Sequence, residues 1–591
     1  MTASNARSVR ANGAAWKRYV PALTWLPAYR RQDLSGDLLA GVIVAIMLVP
    51  QGMAYALLAG LPPKVGLYAS IAPLIIYGLL GTSRALAVGP VAIVSLLVAT
   101  GVSPLAAAGS ADYLQLALTL ALMVGVIQTL MGFLRIGFLV NFLSHPVLGG
   151  FTSAAAIVIG FSQVKHLFGI RMPDADFFTS VRYAATHLEE TNPATLAIGA
   201  GGVALLLYFK YGLAAHLRRL GLPAGWITPL TKSAPLVVVL LGTLLVWAFQ
   251  LDARAGVRIV GAVPAGLPPL TLPILAPDML LLLLPTALVI SFVGYMESIS
   301  VAKSLASKRR QKVDSNQELV ALGAANLGAA FTGGYPVTGG FSRSVVNYTA
   351  GANTGLASLI TAVLIAITVI FLTPLFYFLP NAILAAIIIV AVSGLVDVAA
   401  LRHIWRYSRA DALSYVVTFA AVLAAGIEMG IIIGVGAAIL LFIWRTSKPH
   451  VAIVGRLGQS ETYRNVLRHQ VQTWPELVAV RVDESLYFPN TKYLEDTLLS
   501  LAADRPEVTT IVLIGTAVNF IDASALETLE SLHHELGEAG IALHFAAIKG
   551  PVMDRLRRSG FVEQVGVDHF HESTHQALCR LGFVGERAAE A

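Results

Sequence analysis

The sequence predicts a polytopic α-helical membrane protein that ends in a small soluble α/β domain. Three observations carry this. The chain is 56% hydrophobic and only 13% charged, with a mean hydropathy of +0.72, the balance of a membrane protein. Its apolar residues form long stretches up to about residue 448, after which the pattern changes to short alternating runs. Its basic residues cluster in the short segments between apolar stretches, as they do in cytoplasmic loops. The net charge of +7 therefore reports membrane topology and not nucleic-acid binding. The single cysteine, Cys579, excludes an intrachain disulfide framework.

Residues 1–37 carry Arg7, Arg10, Lys17, Arg18, Arg30 and Arg31 and no early apolar core. This segment is expected to stay cytoplasmic, with no cleavable signal peptide and the first span inserting by itself. Apolar stretches follow near 38–59, 65–81, 87–102, 113–134, 138–162, 194–210, 233–250, 278–303, 317–331, 341–351, 355–373, 376–396, 410–426 and 428–445. Counted from a cytoplasmic N-terminus, the inside segments hold Arg84, Arg135, Lys210, Arg218, Arg219, Lys232, the Lys308–Lys312 cluster, Arg402, Arg406, Arg409, Arg445 and Lys448. The outside segments hold chiefly Lys64, Lys165, Arg171, Arg182, Arg254 and Arg258. This bias predicts fourteen spans over 38–448 with both ends inside; twelve would satisfy the same rule.

The run from Phe331 to Asn347, FTGGYPVTGGFSRSVVN, breaks what would otherwise be a continuous apolar helix. Glycine raises the entropic cost of a helix and proline lacks the amide hydrogen. Irregular backbone at membrane depth survives only where protein covers it or where it lines a watered cavity. Ser342, Arg343 and Ser344 are expected to open a new helix there. A helix N-terminus offers free amide hydrogens and partial positive charge, and Arg343 adds a full one, so the stretch predicts an anion site. A second break lies in the first half. The Val49 to Tyr55 stretch puts a proline, Pro50, and a polar residue, Gln51, in mid-membrane in the first span, and Gly89-Pro90-Val91 opens a short helix about 38 residues later. In the second half, Glu297 sits in mid-span about 43 residues before the Gly340-Phe341 opening. The two halves are seven spans apart and so inverted, and interrupted segments at matching places point to a site between them.

After Lys448 the pattern is that of a cytoplasmic α/β domain over 460–585. Strands are expected near 476–482, 509–514 and 541–546, with helices near 491–502, 523–538 and 551–558.

Nearly the whole chain resembles the sulfate permease (SulP) family of anion transporters. The resemblance rests on Pro50-Gln51-Gly52-Met53-Ala54-Tyr55-Ala56, on Gly261 to Pro268, on Ser315-Asn316-Gln317-Glu318-Leu319, and on Tyr335 to Ser344. The C-terminal domain resembles a STAS domain at Asn519-Phe520-Ile521-Asp522-Ala523-Ser524. The resemblance implies fourteen spans as two inverted seven-span repeats divided into core and gate subdomains, and a homodimer; no cofactor or metal is expected. It also implies an anion site between the third and tenth helices. That site carries over onto Gln51, Tyr55, Gly89, Pro90, Val91, Glu297, Phe341, Ser342, Arg343 and Ser344. Gln51 and Tyr55 lie four apart on one helical face and offer hydrogen bonds to oxyanion oxygens. Arg343 and Glu297 are the two ionisable residues expected in the membrane core, where each costs about 2.5–3.5 kcal/mol. An anion that neutralises Arg343 makes protonation of Glu297 easier, which links anion binding to proton uptake. Sulfate uptake across the cell membrane by proton symport is the function this implies. Sodium-coupled bicarbonate or C4-dicarboxylate transport, chloride transport and a passive anion channel are the alternatives.

Two further features are weighed. His571-Glu572-Ser573-Thr574-His575 matches the H-E-x-x-H pattern of zinc peptidases. It is expected at the start of the last helix of a small domain about 16 residues from the chain end, which does not provide a peptidase cleft. Ser524 is a candidate phosphosite by resemblance, with a helix N-cap as the competing role for this loop.

Overall fold

The computed structural model describes residues 19–138, 144–172 and 176–585 of the chain. Most of the N-terminal segment and the start of the apolar stretch near 138–162 lie outside these residues. The chain divides into two units, Met1–Ala438 and Ile439–Ala591.

The first unit is helical, and each apolar stretch read above is met by a helix among the described residues. Among the described residues nine helices are long and apolar enough to cross a membrane by length and composition, and two shorter apolar helices run over Ala92–Val102 and Ala234–Phe249. Local chemistry sets many of the ends. The Ser110 hydroxyl accepts from the Tyr113 amide at the start of Ala111–Phe133. Asp314 Oδ1 accepts from the Asn316 and Gln317 amides at 2.9 and 3.2 Å at the start of Ser315–Phe331. Each removes amides that a helix start leaves unpaired. The Pro277–Lys308 helix starts with proline in its first turn and ends before Arg310, which takes a left-handed backbone.

The helices pack in two groups. One combines residues 31–133 with residues 277–376, and the other combines residues 145–249 with residues 381–446. In the first group the chain crosses itself. Strand β1, Val88–Gly89, pairs antiparallel with β2, Thr338–Gly339, and each leads into a short helix, Ala92–Val102 and Phe341–Thr349.

The second unit is a six-stranded sheet in the order β4-β3-β5-β6-β7-β8 with helices between strands. Here β3 is Val451–Arg456, β4 Tyr463–Asn465, β5 Leu477–Val482, β6 Thr510–Ile514, β7 Ala542–Ala546 and β8 Phe570–His571. β5 to β8 run parallel, while β3 is antiparallel to both β4 and β5. The three expected strands and three expected helices are all present, but the sheet begins at Val451, before the expected start at 460. The β3–β4 hairpin and the two-residue β8 carry no run long enough to show period-two alternation.

Candidate functional site

The two short helices bring their N-termini to one place because β1 and β2 hold the segments that precede them side by side. Several bonds fix this crossing. The Gly340 amide donates to the Ala87 carbonyl at 3.0 Å. The Ser95 and Tyr335 hydroxyls share a hydrogen bond of 2.8 Å. Asn326, fully buried, accepts from the Val337 amide at 2.8 Å and donates to the Val337 carbonyl at 3.1 Å, so its amide group acts as one more strand residue beside β2. Thr338 Oγ1 donates to the Gly294 carbonyl at 2.5 Å, and the Gly339 amide donates to Ser298 Oγ at 2.8 Å. These last two contacts bracket Glu297 on the Pro277–Lys308 helix and pin that turn to the crossing.

One cavity of about 500 Å³ opens at this point, lined by Gln51, Tyr55, Val91, Glu297, Phe341, Ser342 and Arg343 among others. Seven of the expected site residues thus come together. Phe341 and Ser342 are exposed to it, whereas Arg343 is 2% exposed. The Arg343 Nη1 donates to the Pro90 carbonyl at 2.7 Å, while Nε and Nη2 are buried without a hydrogen-bond partner. Glu297 Oε2 is likewise buried without a partner. Among the described residues Glu297 forms no ion pair with Arg343 or Lys303. Gly340 makes this arrangement fit: a Cβ there would lie 2.9 Å from Arg343 Nη2 and 3.0 Å from its Cζ.

The other three expected residues frame the cavity without lining it. Gly89 sits in β1 at a φ of +153°, a backbone suited to glycine. Pro90 contributes its carbonyl to Arg343. Ser344 is fully buried, donating to the Gly340 carbonyl at 2.7 Å and accepting from the Ala87 amide at 2.9 Å, so it braces the crossing. The helix starts one residue before Ser342, because Gly340 takes the capping position and Phe341 the first turn.

Sequence reasoning missed four charged groups. Lys210, in the π-helical turn within Pro193–Arg219, and Lys232, at the end of Ala224–Lys232, also line the cavity. Their short π-helical and α-helical settings gave no signal beyond loop charge. Asp37 and Glu318 are fully buried, so Arg343 and Glu297 are not the sole buried charges. Both are saturated. Glu318 accepts from the Tyr77 hydroxyl at 2.7 Å, from Thr82 through amide and hydroxyl at 2.7 and 2.6 Å, and from the Ser83 amide at 3.1 Å. Asp37 accepts from the Asn353 and Thr354 amides at 2.6 and 3.1 Å and from the Thr354 hydroxyl at 2.6 Å. Glu297 differs from them in having an oxygen left over for chemistry.

In the second unit, His571 and His575 do not share a helix as a peptidase motif requires. His571 lies in β8, 3.3 Å from His544 Nδ1, while His575 lies in Thr574–Arg580 with Nδ1 3.1 Å from the Tyr463 hydroxyl. Burial, with His569 and His571 adjacent, pushes the His544 imidazole down to about 4. Ser524 is exposed near the start of Ala523–Glu538, and the cap is Asp522, whose Oδ1 accepts from the Ala525 amide at 2.8 Å.

The sulfate permease family model matches residues 34–418, and the STAS domain model matches 468–577. Among similar proteins is "Probable sulfate transporter 4.2" of Arabidopsis thaliana, 38% identical over 94% of this chain and 83% of the relative. "Sulfate transporter 4.1, chloroplastic" of the same organism is 38% identical over 94% and 82%. Among solved structures, murine Solute Carrier 26 family member A9 in the inward-facing state superposes with a TM-score of 0.89 at 27% identity, covering 96% of this chain and 95% of that one.

Proposed function

The chain belongs to the sulfate permease family and is a membrane transporter of anions with a C-terminal STAS domain, and from that premise we propose that it takes up sulfate by proton symport. The observation that carries the reading is the pair of unspent polar groups in one cavity. Arg343 Nε and Nη2 have no partner, and neither does Glu297 Oε2. A tetrahedral oxyanion between the half-helix N-termini satisfies the guanidinium and takes up the free amides of both first turns. Gln51 and Tyr55, whose side chains make no hydrogen bond to another described residue, complete its shell from the first long helix. Once the anion offsets the arginine, Glu297 faces a dianion and takes a proton, so loaded carrier holds both.

The cavity runs from Arg343 and Glu297 to Lys210 and Lys232, on the side where the positive-inside rule puts the cytoplasm. In this reading both termini and the STAS domain face the cytoplasm, and the membrane is the cell membrane. We take the functional form to be a homodimer. Ser524 is a phosphosite in this reading, because an exposed hydroxyl at a helix start can gain a phosphate that the dipole favours.

Radiolabelled sulfate uptake into proteoliposomes tests the mechanism. The wild type accumulates sulfate when the outside is acidified. Glu297→Gln, which mimics the protonated carboxyl, binds and exchanges sulfate but does not accumulate it against a gradient. Equal accumulation by both proteins would remove Glu297 from coupling, and sodium-driven uptake without a pH response would replace proton by sodium.

A further inference from the structure

Thr286 and Glu428 meet far from the cavity. The Thr286 hydroxyl, on the Pro277–Lys308 helix, donates to Glu428 Oε1 at 2.7 Å. Glu428 stands in the first turn of Ile427–Thr446. The two helices belong to different packing groups, so this bond ties one group to the other. The Ser153–Tyr415 and Lys210–Ser393 bonds stay within the second group, and the Asn326, Ser298 and Glu318 bonds stay within the first.

Both ends of the bond are stiffly mounted. Thr286 is buried, and a Cβ added at Gly101 would lie 2.5 Å from its Oγ1 and Cγ2, so the far end of the Ala92–Val102 helix abuts it. On the other side, a Cβ at Gly434 would lie 2.3 Å from Thr418 Oγ1, so the last two helices of the second group pack backbone to side chain. Thr286 and Glu428 therefore move with their own groups.

The location gives the bond a function. Thr286 precedes Glu297 by eleven residues, about three turns plus 20°, so both lie on one helix face roughly 16 Å apart. The cavity leads from Glu297 toward Lys210 and Lys232, and Thr286 lies the other way, toward Pro277. An anion can reach the site from that opposite side only if the two groups separate there. We propose that the Thr286–Glu428 hydrogen bond is an outer latch that holds the cytoplasm-open state, and that both residues are positioning residues for the conformational step of transport. The latch rests on the orientation proposed above but not on which anion or coupling ion is used. Breaking it frees a carboxylate that water can then solvate, so its net effect on the equilibrium is that of a single hydrogen bond, roughly fivefold.

The test uses the full chain in proteoliposomes, with Cys579→Ser removing the native thiol and Val390→Cys on the cavity wall as reporter. A membrane-impermeant maleimide is applied from each side. The latched protein is labelled fast from the cytoplasmic side. Thr286→Val, which keeps shape and removes the hydroxyl, and Glu428→Ala each speed labelling from outside by up to about fivefold and slow labelling from the cytoplasmic side by less, because the cytoplasm-open state is the majority in the parent. Thr286→Ser restores the parent rates, and the double variant labels no faster from outside than either single one, because both remove one interaction. Unchanged rates in Thr286→Val, failure of Thr286→Ser to rescue, or a multiplicative rise in outside labelling in the double variant would overturn the latch. If Glu428→Ala does not fold, the Thr286→Val and Thr286→Ser pair decides alone. Parent protein labelled fast only from outside would overturn the orientation, a separate failure from that of the latch.

Discussion

Arg343 holds a buried guanidinium with Nη1 bound to the Pro90 carbonyl and two nitrogens unspent. Each unpaired buried donor costs about 1–3 kcal/mol, so the empty site stores a deficit that an anion repays. Arg343→Ala is expected to fold and to lose sulfate binding by about a hundredfold or more. Arg343→Lys should keep part of it, since a point charge cannot reproduce a forked grip. Gly340→Ala separates fold from site. The three atoms nearest the added Cβ all belong to the Arg343 guanidinium, the far end of a long side chain, so the helix survives while the guanidinium is displaced. Calorimetric titration of sulfate should show about tenfold weaker binding with an unchanged thermal unfolding midpoint. Full affinity in Gly340→Ala would mean that the guanidinium position does not matter. Arg343 was legible because glycine and proline surround it in an apolar chain. Its partner was not, because the Pro90 carbonyl lies 253 residues away in sequence. Glu318 shows the reverse: its motif was visible, but only the fold reveals that the Tyr77, Thr82 and Ser83 donors saturate it.

At the scale of elements, both half-helices were readable from breaks in apolar runs, whereas the pairing of β1 with β2 was not. Two-residue strands have no alternation, and their register is fixed by Asn326 and Ser298 on separate helices. β8 was hidden for the same reason, and its histidine was assigned to a helix that begins three residues later. That misplacement has a measurable side. His544 on β7 and His571 on β8 face each other at 3.3 Å with His569 stacked at 4.3 Å on His544. Burial and these neighbours hold His544 near pH 4, against an ordinary value of 6.5. Between these values the unfolded strands bind a proton that the folded pair does not. The pairing is therefore firm above pH 6.5 and weakens as pH falls toward 4. Hydrogen exchange in the full protein, corrected for intrinsic rates, should show peptides over 542–546 and 570–571 opening more as pH drops from 7 to 5. His544→Gln should flatten that response. A wild-type profile already flat over this range would mean that the imidazole pair carries no linkage.

For the whole molecule, the proposed orientation rests on charge asymmetry summed over many loops and so does not hang on any one boundary. The way the chain sorts into two helix groups was not, since nothing in a single apolar helix says which neighbour it will pack against. Charge accounting across the membrane gives the last prediction. Sulfate carries two negative charges inward, which costs about 4.6 kcal/mol per 100 mV of inside-negative potential. Among the described residues the cavity is lined by one carboxylate, Glu297, and Asp37 and Glu318 are already saturated by hydrogen bonds. One proton per sulfate leaves one net negative charge moving, and half that cost. Proton-driven uptake should then be electrogenic. At a fixed pH step, proteoliposomes clamped inside-negative with potassium and valinomycin should accumulate less sulfate than those clamped at zero. The shortfall should match one charge, about fiftyfold in the limiting gradient per 100 mV. Uptake indifferent to voltage would require a second proton, carried on the anion or by a group outside the cavity, and would make Glu297 one of two coupling sites.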